Sequence, residues 1–151
     1  IVGAQLGGAI KNIIAIACGI ADGMKLGLNA RAALICRGVA EMTRLGTKMG
    51  GSPETFSGMS GLGDLILTST GNLSRNHSLG YKLGQGIKPK EFLHQGRSVV
   101  EGFKNAVTIK ELSELHKIEM PICNAVFEIL YRGTSCSQAF KNLLERDPSD
   151  E

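Results

Sequence analysis

The sequence predicts an all-α fold, and three observations carry that expectation. Apolar residues recur at helical spacing along most of the 151 positions. No alternating strand pattern of useful length occurs, nor any hairpin dipeptide between apolar runs. Small residues abound while aromatics are only 5%, with no Trp, so the core must come from Ala, Leu, Ile, Val and Met, the mix of closely packed helices. The 20 glycines are about twice the usual ~7%, yet with 4 prolines and no Gly-X-Y period they belong inside folded structure.

The elements follow in order. From Gln5 to Met24, Leu6, Ile10, Ile13, Ile14, Ala17 and Ile20 keep helical spacing, and the opposite side holds Gly7, Gly8, Ala9, Ala15 and Gly19 instead of charges. A helix apolar nearly all round is a buried helix. Glycines inside it each cost roughly 1 kcal/mol of propensity, a cost that makes sense where another backbone or a ligand approaches closely. Gly27 is the expected stop. Asn29 then reads as the N-cap of a second helix to about Met49, with Ala33, Leu34, Val39, Ala40, Met42 and Leu45 on one side and Gly50-Gly51 ending it. Ser52-Pro53-Glu54-Thr55 opens a short helix closed by Gly58, and Gly61 to Ser69 is short helical or irregular chain. Gly71 to Ser78 reads as a polar loop leading into Leu79 to Leu83. Val99 to Lys117 is the clearest long amphipathic helix of the second half. Pro121 to Tyr131, begun by proline, and Ser135 to Arg146, capped by Ser or Thr, complete a domain over residues 1–146, with 147–151 a solvated tail.

Composition removes several classes of function. Charged residues at 21% and hydrophobic ones at 42% exclude wholesale disorder. A net charge of +3, with bases and acids interspersed, implies neither nucleic acid nor an anionic membrane as partner. Cys18, Cys36, Cys123 and Cys136 form no C-x-x-C pair and accompany three scattered histidines, so reduced thiols in a cytoplasmic protein are expected, and no metal site. Ile1 to Ala21 lacks the basic flank and cleavage site of a signal peptide, and Gln5, Lys11 and Asn12 interrupt a membrane span. The chain opens in mid-pattern without Met, as a piece of a longer polypeptide would.

Three places could carry chemistry. Lys11 lies in an apolar, glycine-lined helix; burial disfavours an ammonium, which is how a lysine becomes a base near neutral pH, although it could equally emerge on a wetter side. Asn12 shares that ambiguity. Asp64, in Gly61-Leu62-Gly63-Asp64-Leu65-Ile66, is either a helix cap or a partner for Lys11, since an unpaired buried carboxylate costs several kcal/mol. Ser74-Arg75-Asn76 offers a hydroxyl, a guanidinium fork and an amide, a set suited to phosphate, though three polar residues also make an ordinary turn. No G-x-G-x-x-G follows a strand, so the chain carries no dinucleotide fingerprint of its own.

Taken together, Gly7-Gly8-Ala9-Ile10-Lys11-Asn12-Ile13-Ile14-Ala15-Ile16-Ala17, Arg37-Gly38-Val39-Ala40-Glu41-Met42, Gly61-Leu62-Gly63-Asp64-Leu65 and Ser74-Arg75-Asn76 resemble, in order and at the family's spacing, the bacterial NAD(P)-dependent glycerol-3-phosphate dehydrogenases. The resemblance implies their C-terminal, all-helical, substrate-binding domain, of the 6-phosphogluconate-dehydrogenase C-terminal-domain type, without the N-terminal Rossmann domain that would be its partner. It implies sn-glycerol 3-phosphate and dihydroxyacetone phosphate as substrates, NAD or NADP as cofactor, and a place in supplying phospholipid synthesis. It leaves room for a homodimer. By the same resemblance Lys11 is the catalytic base, Asp64, Ser74, Arg75 and Asn76 hold substrate together with Asn12 and Thr68, and Arg75, Val99 and Glu101 approach the cofactor. The related β-hydroxyacid dehydrogenases place Asn four residues after their lysine, where this chain has Ala15. The competing reading is a helical dimerisation or binding module without catalysis; a βαβ unit encoded ahead of Ile1 would decide against it.

Overall fold

A computed structural model describes residues 2–51, 72–92 and 97–145. Among them are six α-helices and one 3₁₀ turn: α1 (Val2–Gly23), α2 (Leu28–Lys48), α3 (Asn72–Gly84), the 3₁₀ turn Pro89–Phe92, α4 (Arg97–Leu115), α5 (Pro121–Tyr131) and α6 (Cys136–Glu145). The expected all-α class is what forms.

Helix α1 is the axle of the fold. Ile10, Ile13, Ile14, Ile16 and Ile20 are wholly buried, and α1 touches α2, α3, α4 and α5. Its stretch Leu6–Gly23 is long and apolar enough to cross a membrane, but two thirds of it is buried inside the domain, as its all-round apolar pattern predicts for a core helix. The exception is one wetter side at its start, where Gly8 is exposed and Ala9, Lys11 and Asn12 are half-buried.

The helix ends differ from expectation in an informative way. Gly27 does not stop α1. The helix finishes at Gly23, Lys25 takes a left-handed φ of 60°, and Leu26 N–H reaches back to the Ala21 carbonyl at 3.0 Å. That reach-back closes the helix whichever residue holds the left-handed position. Gly27, at φ 96°, instead precedes α2, so Asn29 lies inside the first turn and caps nothing. The same motif ends α4 at Leu115, with Lys117 at φ 56° and Ile118 N–H on the Ser113 carbonyl at 2.9 Å, two residues before the expected Lys117. Ser135 caps α6 as expected, its Oγ accepting from Gln138 N–H at 3.1 Å.

The largest departure is α3. Leu73 to Ser78 is not a loop but the first half of a helix continuous to Gly84. Its polar run hides the periodicity because, of the core-facing positions Leu73, Asn76, Leu79 and Leu83, one is an amide, and the contact with α1 itself is made by glycines. A Cβ at Gly80 would lie 2.0 Å from the Ile16 carbonyl oxygen, one at Gly84 would lie 2.4 Å from that of Ile20, and one at Gly19 would meet the His77 carbonyl. Two backbones touch directly along Ile16-Gly19-Ile20-Gly23 and His77-Gly80-Tyr81-Gly84.

A polar stripe on α2 ties the two halves of the chain. Arg37, Glu41 and Arg44 recur at i, i+4 and i+7, hence on one face. Arg37 Nη1 donates to the Leu143 carbonyl and Arg44 Nη2 to the Glu119 carbonyl, each at 2.9 Å. The wholly buried Glu41 accepts from Ile122 N–H at 2.7 Å and Cys123 N–H at 3.2 Å, capping α5, whose own Met120 supplies no side-chain cap. Proline at the start of α5 removes one orphan donor, and Glu41 takes the next two. Cys18 and Cys123 are buried and Cys36 is exposed.

Candidate active site

The glycine seam fixes how α1 and α3 lie. Gly19 and Gly23 of α1 meet Gly80 and Gly84 of α3 in ascending order, so the helices are parallel. Both rise 1.5 Å per residue, and carrying that register back places the first turn of α3, Asn72–Arg75, level with Lys11–Ile14 of α1. Asn12 is four residues before Ile16 and therefore on the stripe that faces α3. Lys11 is on the neighbouring stripe.

Helix α4 reaches the same end. A Cβ on Gly102 would lie 2.5 Å from Asn76 Oδ1 and 3.3 Å from Ile16 Cδ1, so α4 crosses the α1–α3 pair where Asn76 is buried, at 1% exposure. Glu101, adjacent to Gly102, is exposed, and Val99 lies in the first turn of the same helix. The fold thus gathers Lys11, Asn12, Ser74, Arg75, Asn76 and the start of α4, with Val99 and Glu101, at one end of the bundle. Arg75 is exposed and Ser74 half-buried. Asp64 and Thr68 lie outside the described residues.

Two of the three residue groups proposed for chemistry change character. Lys11 is half-buried on the wetter side of α1, the milder of its two readings. Ser74-Arg75-Asn76 stands in the opening turns of a helix rather than in a turn, where backbone N–H groups and the positive end of the macrodipole favour an anion beside the guanidinium.

One polar cluster was not singled out from the sequence. Asp22 Oδ2 accepts from His77 Nε2 at 2.7 Å and from Arg31 Nη1 at 3.0 Å, joining α1, α3 and α2 at a single carboxylate oxygen. The signal was present: Asp22 is eleven residues, three helical turns, beyond Lys11 on the same stripe, and it is a charge at the end of an apolar helix.

The all-helical bundle is that of the C-terminal dehydrogenase domains, and the chain is one of them. Residues 1–141 match the family described as NAD-dependent glycerol-3-phosphate dehydrogenase C-terminus, and the chain belongs to that family. It is 52% identical over 147 residues to a glycerol-3-phosphate dehydrogenase [NAD(P)+] of Geobacter sulfurreducens, covering 97% of this chain and 44% of that protein. A solved glycerol-3-phosphate dehydrogenase of Coxiella burnetii superposes with a TM-score of 0.85 at 48% identity, covering 97% of this chain and 45% of that one. The yeast Saccharomyces cerevisiae enzyme does so with a TM-score of 0.70 at 27% identity, over 89% and 40%. The chain therefore spans less than half the length of these relatives.

Proposed function

We propose that this chain is the substrate-binding and catalytic part of a cytoplasmic enzyme interconverting sn-glycerol 3-phosphate and dihydroxyacetone phosphate, a source of glycerol 3-phosphate for phospholipid synthesis. The observation that carries the reading is the parallel register that sets Ser74 and Arg75, in the first turn of α3, level with the turn of α1 that opens with Lys11 and Asn12. A phosphate held by the Arg75 fork and the α3 N-terminus leaves the carbinol end of a three-carbon substrate to lie toward Lys11. Lys11 takes the hydroxyl proton on oxidation and returns it on reduction, a role that needs hydrogen-bond reach of roughly 2.6–3.2 Å. Asn12, Asn76, Asp64 and Thr68 complete the substrate site. Anchoring at the phosphate fixes the reacting carbon, and positioning of this kind contributes several kcal/mol of barrier reduction.

The donor set at this end suits one side of a dinucleotide: a guanidinium for its phosphates at Arg75 and an exposed carboxylate for hydroxyl or amide donors at Glu101, beside Val99. NAD or NADP, when bound, accepts or donates the hydride. Its remaining contacts belong to an N-terminal Rossmann domain joined to this chain, within a homodimer.

The test replaces the matching part of the Geobacter sulfurreducens relative with this chain and follows nicotinamide oxidation with dihydroxyacetone phosphate. Turnover that falls roughly 10²–10⁴-fold in Lys11→Ala, with the helical signal unchanged, supports the assignment. Near-normal turnover in that variant removes Lys11 from the mechanism.

A further inference from the structure

We propose that His77 is a positioning residue: its bond to Asp22, braced by Arg31, fixes the fine rotation of α3 on α1, and through it the aim of Arg75. The inference rests on the reading of Lys11 and Arg75 given above.

Glycines let the two backbones touch, and Leu79 and Leu83 of α3 pack in the core beside the seam, so packing opposes a slip of whole residues. A directional polar link adds to that packing and fixes the fine rotation of α3. The bond from His77 Nε2 to Asp22 Oδ2 is such a link, 2.7 Å long, three-quarters or more shielded on both sides, and charge-assisted on the acceptor. Arg31, with 12% side-chain exposure, holds the same oxygen from α2 at 3.0 Å, so the acceptor is fixed from a third helix.

Residues two apart on a helix project about 200° apart, so while His77 is held toward α1, Arg75 is turned away from the seam, where it is exposed. Ser74, one turn before His77, stays on the side of α1. Without the bond, a small rotation of α3 moves the guanidinium away from a phosphate whose other end must reach Lys11.

The experiment is a double-mutant cycle in the grafted enzyme, with kcat and KM for dihydroxyacetone phosphate measured separately at saturating cofactor. His77→Ala is expected to lower kcat/KM at least about 10-fold, mainly through KM, and to cost less than about 3-fold when the Arg75→Lys change is already present. His77→Gln, which retains a side-chain N–H donor, is expected to recover most of the loss. Equal losses in the parent and in the Arg75→Lys background overturn the proposal. So does a fall confined to kcat with KM unchanged, the mark of a smaller folded fraction. Should His77→Ala fail to fold, Asp22→Asn runs the same cycle from the acceptor side. Unimpaired turnover in Lys11→Ala overturns the catalytic reading itself, separately from the outcome at His77.

Discussion

Gly80→Ala tests the backbone seam most directly. The added methyl would stand 2.0 Å from the Ile16 carbonyl oxygen and 2.9 Å from both the Ile16 carbonyl carbon and the Ile20 nitrogen, all backbone atoms of a buried helix. Ordinary contact needs roughly 3.5 Å, so α1 and α3 must part by about 1–1.5 Å, and no side chain can rotate aside to spare them. Overpacking of this kind costs about 1–3 kcal/mol or more, against a helix-propensity gain of about 1 kcal/mol. With a backbone obstacle the upper part of that range applies, and the net loss is expected to reach at least about 2 kcal/mol. Gly38→Ala is the graded comparison, because its methyl meets only the Ile14 side chain, whose Cδ1 at 2.6 Å can move, so its loss should be smaller. Gly8→Ala is the control. Gly8 is exposed in α1 with nothing within 4 Å, so the propensity gain of about 0.5–1 kcal/mol is left unopposed and the variant should be stabilised. Denaturant unfolding followed by circular dichroism ranks the three. Gly80→Ala as stable as the parent, or raised alongside Gly8→Ala, would refute a direct backbone seam.

Burial pushes the Glu41 carboxyl up to about 7, against backbone hydrogen bonds that pull it down. The folded state then holds this proton more tightly than the unfolded chain does, so its contribution is complete below about pH 4.5 and fades as pH rises through 7. The stability of the parent relative to Glu41→Gln should therefore fall by roughly 3 kcal/mol over that window, and a difference that stays constant with pH would sink the idea. Arg75→Lys in the grafted enzyme keeps the charge but loses the fork, and should lower kcat/KM for glycerol 3-phosphate about 10-fold or more while sparing unphosphorylated glycerol; equal losses on both would show that Arg75 does not read the phosphate. A thiol reagent applied to the native chain at pH 8 should label exposed Cys36 first and leave Cys18, pushed up to about 12 by burial, unlabelled until unfolding; early labelling of Cys18 would contradict a buried α1.

What the sequence showed and what it hid divide along physical lines. Helices whose buried face is built of large apolar residues, such as α1, α4 and α5, were legible from spacing to within a few residues. Helix α3 was not, since its first half is a polar run whose buried residue is Asn76, and the glycines that touch α1 carry no hydrophobic signal. Asn29 looked like a cap because its side chain is suited to one, but the left-handed Gly27 holds that place. The resemblance supplied Lys11, Asn12, Ser74, Arg75, Asn76, Val99 and Glu101, which the fold brings to one end. It did not supply Asp22, Arg31, His77 or Glu41 in their linking roles, because those depend on which helices become neighbours.

The cap on α5 bears on how the chain folds. Glu41 is separated from Ile122 by 81 positions, so the start of α5 is completed only after α2 has docked. An eleven-residue helix is marginal alone in water, and here the group that would help nucleate it arrives late. The second half of the chain is thus denied independence: α2 and α5 should lose amide protection together under native-state hydrogen exchange, as one cooperative unit assembled from distant parts of the polypeptide.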